Sequence, residues 1–324
     1  MKTVGGYAFL VLAILLLTAS LISQIPSNNG WIRALDMVHE PALYVCVALA
    51  VAAALLDRKA AWWSVGGFFA AALVNIATLW PFIAIAPNQI ALDENEGADC
   101  FTALSLNVYM DNRDYARTAR LIDREDPDIL LLLEPDQAWA DALAPQLARY
   151  ETRVDEPLDN TYGLIFATRL PVDRAAISSE AGVLTPTLYA SMRGKRGTPF
   201  DFVGLHPRPP GPNQDTEERD NAILRTDDAT SKLSKDVVLM GDFNDVPWSH
   251  TMTALRERGE FQDPRVGRGT MPTFPADWAW LGWPLDHILV RNGVAVRDFT
   301  VLENVGADHL PLRAQLCLVS EEER

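Results

Sequence analysis

The sequence predicts an α/β domain carried on a membrane anchor, and three observations carry that reading. Long apolar runs at Val4–Ile22, Ala42–Leu56 and Trp62–Ala86 fill the amino-terminal part of the chain. From residue 101 onward, short apolar strand-like segments alternate with amphipathic helix-like ones, the pattern of sheets covered by helices. Polar residues that an ordinary turn does not need recur at the ends of those strands.

The first and third apolar runs are long enough to cross a hydrocarbon layer of ~30 Å. The second reaches that length when it is counted from Leu35, with Asp36 and Glu40 at the interface. The first run has the look of a signal peptide. No small-x-small cleavage site follows it, however, and two further runs do, so it reads as an uncleaved anchor. Trp31, Trp62, Trp63 and Trp80 lie near the run ends, where interfacial aromatics belong. Lys2 precedes the first run, and Arg58 and Lys59 separate the second from the third, whereas Arg33 is offset by Asp36 and Glu40. The positive-inside rule then puts the amino terminus in the cytoplasm and everything after residue 87 outside. The expected organisation is an anchor of three transmembrane helices over 1–86, a polar linker over 87–99 and a catalytic domain over 100–324.

In that domain the spacing predicts a strand over Phe101–Val108, a helix over Tyr115–Arg124 and a fully apolar strand over Ile129–Leu133. Further strands are expected at Gly163–Ala167, Phe200–Leu205, Val237–Met240, Leu285–Val290 and Leu312–Leu318, with a helix over Thr216–Leu233. The stretch from Val237 to Ser249 organises the rest. Gly241 breaks its apolar run, and Asp242 and Asn244 follow two residues apart, a spacing that puts both on one face of extended backbone. Ser249 is placed to cap the amphipathic segment that follows.

Charge narrows the partners. Of 28 basic and 43 acidic residues, residues 1–90 hold four (Lys2, Arg33, Arg58, Lys59) and three (Asp36, Glu40, Asp57), so the remainder of the chain is strongly acidic. Such a surface repels polyanions, which makes extended nucleic acid a poor default partner. The three cysteines form no CxxC pair, which excludes a structural zinc motif of the usual spacing.

The polar strand ends are Asn107 after Ser105-Leu106, Glu134 after Ile129–Leu133, His206 after Phe202–Leu205, Asp242 with Asn244, and the pairs Asp286-His287 and Asp308-His309. Each has an ordinary alternative. Glu134 fits the first turn of a helix opened by Pro135. A lone histidine such as His206 is more often a satisfied core residue. His287 reads as structural.

Together the segments SLNV (105–108), the strand ending in Glu134, LH (205–206), GDFN (241–244), LDHIL (285–289) and ADHLP (307–311) form an ordered series. It resembles the endonuclease/exonuclease/phosphatase superfamily of metal-dependent phosphoesterases, across residues 101–318. One departure is Tyr109, where some nucleases of the family carry an acid. The resemblance implies a two-sheet α/β sandwich and a role for each residue. Glu134 is the main ligand of a divalent cation, with Asn107 and Asp308 near it. His309, oriented by Asp286, contacts the phosphoryl group. Asp242 positions and deprotonates the attacking water, Asn244 binds a phosphate oxygen, and His206 stabilises the transition state or protonates the leaving oxygen. Oxygen-rich ligands suit a hard ion, with Mg²⁺ first and Mn²⁺ or Ca²⁺ as alternatives.

Two substrate-binding residues are expected between the motifs. The proline-rich loop after His206 aims Arg208 at a phosphate, with a plain solvent-exposed proline turn as the alternative. Trp280 belongs to a tryptophan-rich segment, Trp278 to Trp283, read as an exposed lip for lipid rather than as core. The expected function is hydrolysis of a phosphoester or pyrophosphate at the extracytoplasmic face of a bacterial inner membrane, in a lipid-linked or other phosphorylated substrate. An extracytoplasmic nuclease and a catalytically silent scaffold are the alternatives. The first and last strands of the fold so implied are antiparallel neighbours, which brings Cys100 and Cys317 nearly opposite each other. A disulfide and two buried free thiols both remain open there.

Overall fold

The computed structural model describes every residue except 1, 56–58, 91–98, 179–184, 212, 231–235 and 320–324. Most of the expected linker, together with Arg58, Pro212 and Leu233, lies outside the described residues.

Four helices precede the sheets: α1 (Lys2–Ile22), α2 (Gly30–Arg33), α3 (His39–Ala54) and α4 (Lys59–Leu79). A single 3-10 turn, Asp36–Val38, leads from α2 into α3. Helices α1, α3 and α4 pack on one another around Ala13, Ala53 and Phe68. Their outer faces are as apolar as that seam: Val11, Leu15, Val47, Val51, Phe69 and Leu73 all stand at least half exposed. A helix that is apolar all round belongs in a core or a bilayer. Three spans are expected. Among the described residues two stretches, Gly30–Ala54 and Ala61–Phe82, are long and apolar enough to cross a membrane, and Tyr7–Ile22 is a shorter apolar helix.

The rest of the chain runs β1 (Asp99–Asn107), α5 (Tyr115–Glu125), β2 (Ile129–Leu133), α6 (Gln137–Ala142), α7 (Ala144–Leu147), β3 (Thr152–Glu156), β4 (Leu164–Thr168), β5 (Val172–Ser178), β6 (Thr187–Arg193), β7 (Pro199–Leu205), α8 (Glu217–Thr230), β8 (Val237–Asp242), α9 (His250–Gly259), β9 (Asp286–Arg291), β10 (Val294–Val301) and β11 (Leu312–Leu318). A six-stranded sheet has the order β10-β11-β1-β2-β4-β3, and a five-stranded sheet the order β5-β6-β7-β8-β9. The sheets face each other across a core that includes Phe101, Leu131 and Phe166 from one and Phe202, Val238 and Ile288 from the other. On the outer faces, Leu104 and Leu132 meet Leu121, Ile122 and Trp139 of the first helical layer. Leu205 and Leu239 meet Ile223, Met252 and Leu255 of the second. Central strands are therefore buried on both faces, which is why β2 is an unbroken apolar run. Strands β3, β5, β6 and β10 are not expected from the sequence: β3, β5 and β10 lie at sheet edges, and polar or charged residues in all four dilute the apolar signal.

Strand β8 runs through Gly241 to Asp242 instead of breaking at the glycine. There the backbone has φ +148°, and a Cβ would stand 2.0 Å from the carbonyl oxygen of Leu205 on the neighbouring parallel strand. Only glycine permits that approach. Ser249 caps α9 as expected, accepting a hydrogen bond from Met252 N–H.

At the far end of the six-stranded sheet, Cys100 and Cys317 face each other in the β1–β11 ladder and form a disulfide. At the opposite end, the amino-terminal helices dock on the two-sheet domain. Trp248 Nε1 donates to the carbonyl oxygen of Asp36 at 2.7 Å, and Trp283 Nε1 donates to that of Met37. Leu79 and Phe82 pack with Val246, Trp248 and Leu285. Gly267 N–H donates to Pro81 O and Thr216 N–H to Asn28 O, each at 2.8 Å. The loop between α1 and α3 and the segment after α4 thus touch the same end of the sandwich.

Candidate active site

Strand direction gathers the site. Strands β1, β2, β7 and β8 all deliver their carboxyl ends to the end of the sandwich that the amino-terminal helices cover. Strand β9 runs antiparallel to β8 and starts there, with Asp286 opposite Asp242.

Asn107 closes β1 and is buried. Its Nδ2 donates to Glu134 Oε1 at 2.9 Å and to Asp242 Oδ2 at 3.2 Å, while its Oδ1 accepts from Tyr109 N–H. The amide therefore meets the cluster as a donor, not with the oxygen that a ligand role requires. Glu134 follows β2 with a left-handed backbone, φ +63°, fixed by its N–H to Gly163 O at 2.9 Å. It is not a first-turn helix acid, because Asp136 caps α6 instead. A bulky residue held at positive φ is uncommon and concentrates at functional sites.

His206 leaves β7 with Nε2 3.6 Å from Asp242 Oδ2 and 3.9 Å from Glu134 Oε1. Tyr162 packs against its ring at 5.7 Å. Asp242 Oδ1 accepts from Asn244 N–H at 2.9 Å. Asn244 reaches the cluster by this turn, with φ +51°, and not by strand alternation as its spacing suggests. Its side chain donates to Pro207 O at 3.0 Å, and so braces the loop after His206.

His309 precedes β11 in the other sheet. Its Nδ1 lies 2.8 Å from Asp286 Oδ2 and its Nε2 3.5 Å from Asp242 Oδ2. Phe274 stacks on its ring at 4.8 Å. Thr273 Oγ1 accepts from Asp286 N–H at 3.3 Å and so fixes the start of β9. Asp308 is half-buried at the rim. Its carbonyl accepts from Ala276 N–H, and its buried Oδ1 has no hydrogen-bond partner. His287 points away, to the carbonyl of Asp245 at 2.9 Å and to Arg265, in keeping with a structural role.

Seven expected residues (Asn107, Glu134, His206, Asp242, Asn244, Asp286, His309) thus form one linked cluster. Arg208 and Trp280 stand outside it. Arg208 is exposed, yet close enough to oppose the upward pull of burial on the Tyr162 phenol. Trp280 is 71 % exposed and Trp278 60 %, whereas Trp283 turns inward to Met37 of the amino-terminal segment. Four contributors went unseen in the sequence: Tyr162, Thr273, Phe274 and Arg219. Arg219 donates to the carbonyl of Asn244 at 2.9 Å and sits 3.2 Å from Asp245 Oδ2. Thr273-Phe274 does stand just upstream of Asp286, but nothing local marks Tyr162 or Arg219.

The electrostatics call for a cation. Burial pushes the Glu134 carboxyl up, with His206 and Asn107 pulling the other way. Burial likewise raises Asp308. At His309 burial favours the neutral ring, but the Asp286 and Asp242 carboxylates outweigh it and raise the imidazolium to about 10. One ligand atom each from Asp242, Asp286 and His309 lie within 4.8 Å of one another, a grouping able to hold a metal ion. Four carboxylates at one buried end, one with an unpartnered oxygen, fit a hard divalent ion. The grouping of Asp242 with Asp286 and His309 differs from the expected set of Glu134, Asn107 and Asp308. Since Asp286 already holds His309 Nδ1, that pair is arranged as a carboxylate orienting an imidazole.

A model of the Endonuclease/Exonuclease/phosphatase family matches residues 104–309. No curated protein matches the chain in sequence. Among solved structures, an endonuclease/exonuclease/phosphatase from Bacteroides vulgatus aligns at 18% identity with a TM-score of 0.57, covering 68% of this chain and 99% of that one. A mannosyl-6-phosphatase from Bacteroides thetaiotaomicron aligns at 17% identity and 0.57, covering 67% and 100%. D. rerio TDP2 complexed with a single-strand DNA product aligns at 15% identity and 0.54, covering 67% and 98%. These likenesses show the two-sheet fold.

Proposed function

Because the chain belongs to the endonuclease/exonuclease/phosphatase family, a family of metal-dependent phosphoric ester hydrolases, we propose that it hydrolyses a phosphoester or pyrophosphate of a lipid or lipid-linked substrate at the membrane surface. The observation that carries this reading is the docking of the anchor on the loops that bear the reactive residues, through Trp248 to Asp36 and through Leu79 and Phe82 to Val246 and Leu285. A substrate embedded in the bilayer reaches such a site without leaving the membrane. The acidic surface argues against a polynucleotide. The Cys100–Cys317 bridge, together with the sequence position of Arg58 and Lys59 between the second and third apolar runs, supports an extracytoplasmic site.

In this reading Glu134 holds the divalent cation, with Asp308 and Asn107 beside it. Mg²⁺ is the first choice, and Mn²⁺ or Ca²⁺ serve as alternatives. When bound, the ion neutralises phosphate charge and polarises the phosphorus–oxygen bond. Asp242, fixed by Asn244 N–H, holds and deprotonates the attacking water. Asp286 orients the His309 ring and keeps it cationic, so His309 Nε2 donates to a phosphoryl oxygen as charge develops. His206, set between Glu134 and Asp242, delivers a proton to the leaving oxygen. The full-length protein in liposomes with Mg²⁺, offered phosphatidic acid, phosphatidylglycerol, a polyprenyl pyrophosphate and DNA, tests the reading. Turnover of a lipid phosphate supports it, and cleavage of DNA alone overturns it.

A further inference from the structure

We propose that the cavity between the anchor and the hydrolase domain takes the hydrocarbon chain of the substrate. This deepens the lipid reading above and rests on it. The cavity measures about 390 Å³, within the range of small-ligand sites. Trp31, Ala34 and Met37 of the anchor form one wall, and Pro209, Asn244 and Leu285 of the hydrolase domain form the other. The second wall adjoins the reactive cluster at three points. Pro209 lies on the loop leaving His206, Asn244 N–H holds Asp242 at 2.9 Å, and Leu285 precedes Asp286.

Two guanidiniums also line the cavity, but both are engaged elsewhere. Arg33 donates to Asp36 Oδ2 at 2.7 Å and to the carbonyls of Ser23 and Ile25 at 3.0 and 2.9 Å. Arg219 donates to Asp220 Oδ1 at 2.8 Å and to Asn244 O at 2.9 Å. What remains facing the space is mainly apolar, which suits methylene groups and not a second phosphate. Trp31 is 70 % exposed beside the cavity, in keeping with an indole at the membrane–water boundary. A chain leaving past Trp31 continues into the bilayer. Neither domain forms this cavity alone, so a soluble hydrolase of the same fold would lack it.

A chain from a neighbouring bilayer lipid offers the same chemistry, and the test separates the two sources. Full-length protein in nanodiscs with Mg²⁺ is irradiated with a hexadecyl phosphate carrying a mid-chain diazirine, and separately with the matching hexadecanol. The labelled peptides are then mapped. The expected result is labelling of 30–37 and 209–213 by the phosphate probe at least about tenfold above the alcohol, lowered about tenfold by Ala34→Trp, which fills the cavity. Pro210→Trp fills it from the opposite wall and stands in if the first variant does not fold. Equal labelling by both probes assigns the cavity to bilayer lipid and overturns the proposal, as does labelling confined to the outward faces of the anchor helices. Failure of the lipid reading itself would appear as absent turnover of lipid phosphates, a readout independent of the label.

Discussion

Asp286 and His309 meet at 2.8 Å although they belong to different sheets, Asp286 opening β9 of the five-stranded sheet and His309 preceding β11 of the six-stranded one. The contact therefore reports the packing of the two layers as well as the state of the site. Asp286→Asn is expected to lower kcat by about 10²-fold or more with little change in KM, because ring orientation and charge stabilisation act mainly in the transition state. Steady-state kinetics on any substrate that the wild type turns over provide the check.

The same pair gives a pH dependence. The folded-state value of His309, about 10, lies above the ordinary histidine value, so its stabilisation is complete below the unfolded pKa and fades as pH rises toward 10. In metal-free protein, His309→Gln should cost more stability near pH 6 than near pH 10. Thermal unfolding at the two pH values measures this, and a larger cost at high pH would contradict the assignment.

Glu134 is expected to dominate cation affinity. Glu134→Gln keeps the shape and the contact with Asn107 while removing the charge. It should raise the Mg²⁺ concentration for half-maximal activity by about 10-fold or more and lower maximal activity by about 10²-fold. An unchanged metal dependence would move the ion to the Asp242, Asp286 and His309 grouping.

The Cys100–Cys317 bridge ties the first strand of the hydrolase domain to the last. Replacing both cysteines by serine should lower stability by roughly 2–5 kcal/mol without altering turnover at low temperature, since the bridge sits at the end of the sheet opposite the site. Thermal unfolding with and without reductant gives the comparison.

Much of this arrangement was legible in the sequence. Strands β2 and β11 were placed at their observed bounds because burial on both faces leaves an unbroken apolar signal. Glu134, His206, Asp242 and His309 are identifiable because they flank apolar strands, the first three at a carboxyl end and His309 just before β11. The mechanism of convergence was not legible. Asn244 arrives through a left-handed turn, which spacing does not encode, and Asn107 presents its amide nitrogen, which follows from its neighbours rather than its position. Tyr162 and Arg219 act across gaps in the chain that no local pattern spans. The docking of Trp248 on Asp36 likewise joins residues far apart in sequence, each ordinary by itself.

The most direct test of the account is phospholipid turnover by the full-length enzyme in proteoliposomes, measured with Mg²⁺, with EDTA, and with Asp242→Asn. The account predicts hydrolysis that requires the metal and falls by about 10²-fold or more in the variant, whose fold is retained. Hydrolysis that persists in EDTA, or that is unchanged in Asp242→Asn, would contradict it.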